Sequence, residues 1–232
     1  MYTSSEIKSL TYSLGAEKCG IASVDRFKNA PNGFHPNDIY QYCRTVVVFL
    51  IQMPTEIIQA SNPVPYSHTA HLIYSKLDKL GLEFCKSIQN NGSYGIPVPS
   101  DVPYLYWDEE NRHGMGILSL RHAGYLAGLG FLGRNNLLIN PDLGNMVYIG
   151  AVLTNIELDP DPIVEGISCP PKCKICLDSC PQKALDGLTV NQKLCRQFSG
   201  LHHVRGFDIY SCNVCRKVCI YRTRVKLKNN SL

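Results

Sequence analysis

Across 232 residues the sequence carries 44% hydrophobic and 18% charged residues, the balance of a globular chain long enough to bury a sizeable core. Its longest apolar stretch, Thr45 to Met53, falls short of the ~20 residues a membrane helix needs, and no charged-then-apolar leader or twin-arginine start opens it. The expectation is a protein of the reducing cytoplasm with no membrane partner. The net charge of +4 is unevenly spread, because residues 1–168 hold 11 Lys/Arg against 16 Asp/Glu and residues 169–232 hold 12 against 3.

Thr3 and Glu6 fit a capping box for a first helix, with Ile7, Leu10 and Leu14 on one face and Gly15 ending it. Cys19 to Ser23 reads as a strand, and Arg26 to Tyr42, with Pro31, Gly33 and Pro36, as a loop. The β-branched run Val46 to Ile51 predicts a central strand covered on both faces. A long helix follows from about Ser67 to Asn90, then a Gly-, Pro- and aromatic-rich loop over 91–112 of the unusual length that often carries function. A further helix spans about Ser119 to Leu129. The strand at Leu137–Ile139 and the turn Pro141–Gly144 predict an antiparallel hairpin with Met146–Thr154. The acidic, Pro-containing stretch Leu158 to Glu165 marks a boundary, so residues 1–160 and 161–232 are expected as separate domains. Beyond it, Pro181–Leu185 and Val190–Phe198 read as short helices.

Eight of the 11 cysteines fall in the last 64 residues, as Cys169-x3-Cys173-x2-Cys176-x3-Cys180-Pro181, then Cys195, then Cys212-x2-Cys215-x3-Cys219. Eight thiolates in two runs match the demand of two 4Fe–4S clusters, and the bacterial two-cluster run sends its fourth cysteine to the other cluster. Two zinc sites are the competing reading, but these are more typically built from separated pairs. Disulfides fit poorly, since an odd cysteine would be left over. The basic surplus beyond residue 168 suits a segment whose anionic clusters compensate it, and RNA contact is the other reading of Arg222, Arg224, Lys226 and Lys228. Cys19, Cys43 and Cys85 lie on or beside predicted core elements and read as structural.

Ala127 to Gly144 brings glycines to 128, 130, 133 and 144. The Gly-Leu-Gly-x-x-Gly portion fits a dinucleotide fingerprint in spacing but not in context, since it follows a helix and precedes a strand. The stretch AGLGFLGRNNLLINPDLGN, then AVLTNIEL, then the eight-cysteine tail, resembles the epoxyqueuosine reductase and reductive dehalogenase superfamily. Upstream, CGIASVDRF, VVVFLIQ and the long helix after PYSH extend the resemblance over nearly the whole chain.

That resemblance implies an α+β fold, a nitroreductase-like sandwich domain followed by a small ferredoxin-like domain with two 4Fe–4S clusters. It implies cobalamin over the first domain, with flavin the alternative for the same pocket. Cys169, Cys173, Cys176 and Cys219 would hold one cluster, and Cys180, Cys195, Cys212 and Cys215 the other. Gly128, Gly130, Gly133, Arg134, Asn135 and Asn136 would line the corrinoid. The implied activity is an iron–sulfur oxidoreductase passing electrons to a corrinoid or to a substrate over it, fed by a ferredoxin- or flavodoxin-type donor. The alternative is an electron carrier, or a corrinoid-reducing partner, without its own small-molecule substrate.

The sequence departs from the family in several places. The catalytic Asp-Thr/Ser-x-Pro-x-Leu-Glu stretch of epoxyqueuosine reductases is missing from His113–His122, which leaves Asp101, Asp108 or Tyr106 as proton donors. His68, His71 and His122 are candidates for an axial cobalt ligand or a proton donor, whereas His202 and His203 read as a solvated pair. The first cysteine gap is one residue longer than usual, and Ile220 stands where a proline is expected.

Overall fold

The computed structural model describes residues 2–225, in a mixed fold of 32% helix and 21% strand. Helix α1 (Ser4–Ser13) opens on the expected box, with Thr3 accepting from the Glu6 amide and the Glu6 carboxylate accepting from Thr3. It leads through Gly15 into strand β1 (Lys18–Ser23), a 3-10 turn at Val24–Phe27 and the short helix α2 (Pro36–Ile39). Strand β2 (Thr45–Gln52) is followed by a second 3-10 turn, Thr55–Gln59, and by the long helix α3 (Val64–Gln89).

The 91–112 stretch expected as a loop contains structure. Strand β3 (Gly95–Val98) carries Pro97, which is tolerated because β3 is an edge strand. Beyond it, β4 (Tyr106–Asp108) and β5 (His113–Met115) make a separate hairpin. Helix α4 (Leu120–Leu126) precedes two short strands, β6 (Phe131–Leu132) and β7 (Leu138–Ile139), which pair with each other. The expected hairpin between β7 and β8 (Val147–Thr154) is therefore not made, because β8 lies between β2 and β3.

The main sheet has the order β1-β2-β8-β3, with every pair antiparallel. Period-two alternation splits its side chains between two cores. Val47, Phe49, Ile51, Tyr148 and Val152 join α1 and α3, while Val46, Val48, Leu50, Val147, Ala151 and Leu153 join α4. The continuous apolar run in β2 is thus the mark of a strand buried on both faces. Cys19 and Cys43 are buried in one core each, and Cys85 is half-buried against the first.

After residue 154 the chain is tied back to the sheet. The amide of Asp161 donates to Ile21 O at 2.9 Å, its carboxylate accepts from the Ile21 amide at 2.9 Å, and Lys8 forms an ion pair with it. Gly128, at φ +72°, lets this segment pass, since a Cβ there would lie 2.2 Å from Pro162 O.

The remaining elements are α5 (Ile175–Asp178), α6 (Gln192–Ser199), β9 (Gly200–His203), β10 (Phe207–Tyr210) and α7 (Val214–Lys217). Residues 181–185 are not helical, contrary to expectation, and β9 and β10 form a hairpin that the sequence did not suggest. The chain then returns beside the loop before β8, where Asn145 N donates to Tyr221 O at 2.9 Å and Val225 N to Pro141 O at 2.8 Å. Gly144, at φ +69°, permits this approach, because a Cβ would sit 2.1 Å from Thr223 O.

Candidate metal centres

The two cysteine runs fold alike. In each, a four-residue helix begins inside a C-x2-C pair and carries its second cysteine, α5 with Cys176 and α7 with Cys215. The chain then turns, and the last cysteine of each run, Cys180 or Cys219, leaves the helix behind. Helices α5 and α7 pack against each other. The last cysteine of one run can therefore lie beside the opening cysteines of the other.

Cys169, Cys173, Cys176 and Cys219 line one pocket, together with Arg134, Asn135, Ile175, Ile220 and Tyr221. The other four form a second group. Burial raises the thiol of Cys215 to about 11, and the nearby Cys195, Cys212 and Cys180 add to that rise while Arg216 opposes it. Cys212 is raised by burial and also feels Cys195 and Cys180. In the first group, burial and then Cys219, Cys169 and Cys173 raise Cys176. These shifts belong to the metal-free chain. Burial and neighbouring sulfurs make Cys176, Cys212 and Cys215 harder to ionise, and a bound cation would reverse that preference.

Among the described residues no three His, Cys, Asp or Glu side chains are arranged to hold a single metal ion. Cys195 of the second group lies on α6, which begins where the Asn191 side chain accepts from the Leu194 amide at 3.1 Å. Residue 195 thus joins Cys212 and Cys215 from a separate helix. Amides already point at two sulfurs, with Arg134 N 3.4 Å from Cys169 Sγ and Ala184 N 3.3 Å from Cys180 Sγ.

The six residues assigned to a corrinoid on sequence grounds make contacts within the chain. Gly128 abuts Pro162, while Gly130 and Gly133 lie against Ile139. Asn136, at φ +63°, closes a turn by donating its amide to Gly133 O at 2.8 Å. The Arg134 guanidinium donates to Cys173 O at 2.9 Å and to Pro171 O at 2.8 Å. Buried Asn135 donates to Cys215 O at 3.2 Å. The segment is a platform beneath the cysteine groups, and Arg134 and Asn135 border the first pocket.

The candidate proton donors separate by environment. Asp108 lies in the β4–β5 hairpin, where hydrogen bonds from Asn111 lower its pKa, and Tyr106 is exposed. Asp101 follows β3 and accepts from Tyr210 Oη at 3.0 Å, and burial raises its carboxyl above the usual range. His71 stacks on Tyr210 with centroids 5.3 Å apart, His68 is exposed, and His122 Nδ1 lies 2.7 Å from Ser119 Oγ. His202 and His203 are exposed on β9, where His202 pairs with Asp208.

Sequence reasoning missed the polar layer between the sheet and the second cysteine group. Tyr66 and Tyr148 hydroxyls meet at 3.2 Å, Tyr74 meets Tyr148 edge-on at 5.1 Å, and Arg216 lies 5.3 Å from the Tyr148 ring centroid. These residues come from α3, β8 and α7, so no local spacing announces them.

No family model matches the chain. It is 38% identical over 117 residues to an epoxyqueuosine reductase of Staphylococcus aureus, covering 45% of this chain and 30% of the relative. The Bacillus anthracis epoxyqueuosine reductase is 27% identical over 243 residues, covering 89% of this chain and 61% of the relative. A tetrachloroethene reductive dehalogenase of Dehalobacter restrictus is 29% identical over 174 residues, covering 74% and 27%. The chain thus spans less than two thirds of the length of these curated relatives.

Among solved structures, the Streptococcus thermophilus epoxyqueuosine reductase superposes with a TM-score of 0.67 at 22% identity, covering 96% of this chain and 68% of that one. The catabolic reductive dehalogenase NpRdhA gives 0.70 at 20% identity, covering 94% and 32%. An epoxyqueuosine reductase solved with an epoxyqueuosine-modified tRNA stem loop gives 0.62 at 21% identity, covering 94% and 64%.

Proposed function

Because the chain belongs to the epoxyqueuosine reductase and reductive dehalogenase superfamily, as a short, partial-length member, we propose that it is an iron–sulfur reductase with two 4Fe–4S clusters. The cluster residues in this reading are Cys169, Cys173, Cys176 and Cys219 for one, and Cys180, Cys195, Cys212 and Cys215 for the other. The observation that carries it is the sorting of eight cysteines into two groups of four, one lining a single pocket and the other linked by mutual charge effects. The clusters would supply one-electron transfer at low potential. The division at residue 160 assigns residues 1–160 to a nitroreductase-like sandwich and 161–232 to the ferredoxin-like part.

The electron acceptor in this reading is a corrinoid, or a substrate lying over it, with flavin the alternative in its place. Gly128, Gly130, Gly133, Arg134, Asn135 and Asn136 would line it in this reading, the glycines, Arg134 and Asn135 being also packed or hydrogen-bonded within the chain. Asp101 is the proton donor we favour, because burial keeps its carboxyl protonated to higher pH and Tyr210 fixes its orientation. The relative solved with a tRNA stem loop, together with the basic surplus beyond residue 168, makes RNA the substrate class to try first. A ferredoxin- or flavodoxin-type protein is the expected electron donor.

The test is anaerobic reconstitution followed by iron quantification, electron paramagnetic resonance and titration with cobalamin. About eight irons per chain support the two-cluster reading, and about two zincs overturn it. Absence of cobalamin binding and reduction would remove the corrinoid as acceptor. Reoxidation of the reduced clusters by a modified tRNA stem loop separates an enzyme from an electron carrier without its own substrate.

A further inference from the structure

Cys195 is the one cysteine of the two groups that belongs to neither run. Its seven companions sit in C-x2-C and C-x3-C spacings, whereas Cys195 comes alone on α6, 15 residues after Cys180 and 17 before Cys212. Helix α6 has only eight residues, and none of them is buried. A helix of that length is marginal in water on its own, so its place depends on what grips its surface. Its two ends are tied by the backbone, Asn191 N donating to Ala184 O and Ser211 N to Ser199 O, each at 2.8 Å. Between those ties, the β4–β5 hairpin holds it through side chains. The Gln192 side chain accepts from the Gly114 amide at 3.0 Å and donates from Nε2 to Gly114 O at 3.0 Å, taking up both backbone groups of that residue as a neighbouring strand would. One turn on, the Arg196 guanidinium lies 5.2 Å from the centroid of the Trp107 ring. Gln192 and Arg196, four residues apart, share the helix face toward the hairpin, and Cys195 lies between them in the chain. The hairpin is shaped to this contact. A Cβ on Gly114 would meet Tyr104 Cε2 at 3.0 Å and Trp107 Cε3 at 3.3 Å, and Trp107 Nε1 donates to Glu109.

We propose that the β4–β5 hairpin is the brace that keeps Cys195 in the second group, with Gln192 and Arg196 as its positioning residues. The inference rests on the two-cluster reading. A 4Fe–4S cluster whose fourth thiolate drifts away holds its iron less well. The brace therefore governs retention of the cluster on Cys180, Cys195, Cys212 and Cys215 and leaves the other alone. The dependence runs both ways, because a two-stranded hairpin is also marginal by itself. Trp107, the single tryptophan of the chain, reports the docking directly.

The experiment loads wild type, Gln192→Ala, Arg196→Gln, Arg196→Lys, Gln197→Ala and Cys195→Ser with iron and sulfide. It then follows iron release to a chelator, electron paramagnetic resonance and acrylamide quenching of Trp107. Cys195→Ser identifies the signal of the second cluster. In Gln192→Ala, which loses both bonds to Gly114, about four of about eight irons are expected to leave about tenfold faster or more. The signal identified by Cys195→Ser should fade with them, and quenching of Trp107 should rise. Arg196→Gln, which removes the cation over the ring, is expected to act the same way by about twofold to fivefold, and Arg196→Lys to stay near wild type. Gln197→Ala, at an exposed position of the same helix, is expected to match wild type. Alanine is the better helix former at both positions, so a loss at 192 alone is not one of helix propensity. Release from Gln192→Ala at the wild-type rate, or equal acceleration from both clusters, overturns the inference, as does faster release with quenching unchanged. If Gln192→Ala takes up no iron, Arg196→Gln decides by the same criteria. A wild type without two clusters fails the functional reading instead, and iron quantification tells the two failures apart.

Discussion

The backbone amide of Arg134 donates to the sulfur of Cys169 across 3.4 Å, so a turn of the glycine-rich segment meets the first cysteine of the tail directly. The same residue's guanidinium holds the carbonyls of Cys173 and Pro171. The loop around the first group is thereby fastened from outside its own sequence.

Replacing that side chain isolates the fastening. Arg134→Met keeps the amide and removes both guanidinium bonds, each worth about 1.5–3 kcal/mol for a charged donor, with the solvent-exposed one at or below the low end. We expect the variant to bind a full set of irons but to lose those of one cluster faster to a chelator. Release at the wild-type rate would show that the guanidinium is incidental.

The exchange of last cysteines between runs makes a sharper prediction. Cys219→Ser should damage the cluster whose other residues are Cys169, Cys173 and Cys176, although it lies in the second run. Cys180→Ser should damage the opposite one. In each case iron falls from about eight toward about four per chain, and one paramagnetic signal is lost. Loss of the same signal from both variants would contradict the crossing.

Asp101 yields a prediction with a defined sign. Its carboxyl has a folded pKa above its ordinary value of 3.8, chiefly through burial, with the Tyr210 hydrogen bond acting in the opposite direction. The folded state therefore binds the proton more tightly than the unfolded state. Stability is then lost as pH rises from about 3.8 through the folded value. Asp101→Asn removes this penalty, so the variant should melt higher than wild type at neutral pH, and the difference should close below the ordinary carboxyl value of 3.8. Substrate-coupled turnover should fall by about 10²–10⁴ if Asp101 delivers the proton. An unchanged rate would return that role to another group.

Cys19, Cys43 and Cys85 should be dispensable for metal. Burial raises the thiol of each to about 11, and none belongs to either cysteine group. A triple alanine variant is expected to keep about eight irons, with a melting temperature lowered by small core cavities. A fall in iron content would assign one of them to a centre.

Much of the sheet was legible because its signals are local. Val46–Ile51 declares a strand buried on both faces by composition alone, and Thr3 with Glu6 declares the start of α1. Strand β3 was hidden because Pro97 argues against pairing, and only its edge position removes the conflict. The turn at Pro141–Gly144 suggested the wrong hairpin, since a turn fixes a change of direction but not the partner of the strand that follows. Cysteine spacing announced eight thiolates in two runs, while their division into two sets of four was only what the family resemblance implied. The glycine segment was readable as a place of close approach, but not which surface approaches it. The tyrosines around Arg216 were invisible, because residues 66, 74, 148 and 216 meet only after three elements have packed.

The return of the chain over Gly144 has a practical consequence. Residues 221–225 run beside 141–145, so the cysteine groups rest on a floor that exists only once the sheet has formed. Visible colour should consequently act as a thermometer for the sheet. In a melt of the loaded protein, bleaching and the loss of far-ultraviolet ellipticity are expected to coincide, and bleaching well below the ellipticity transition would show that the floor is not needed.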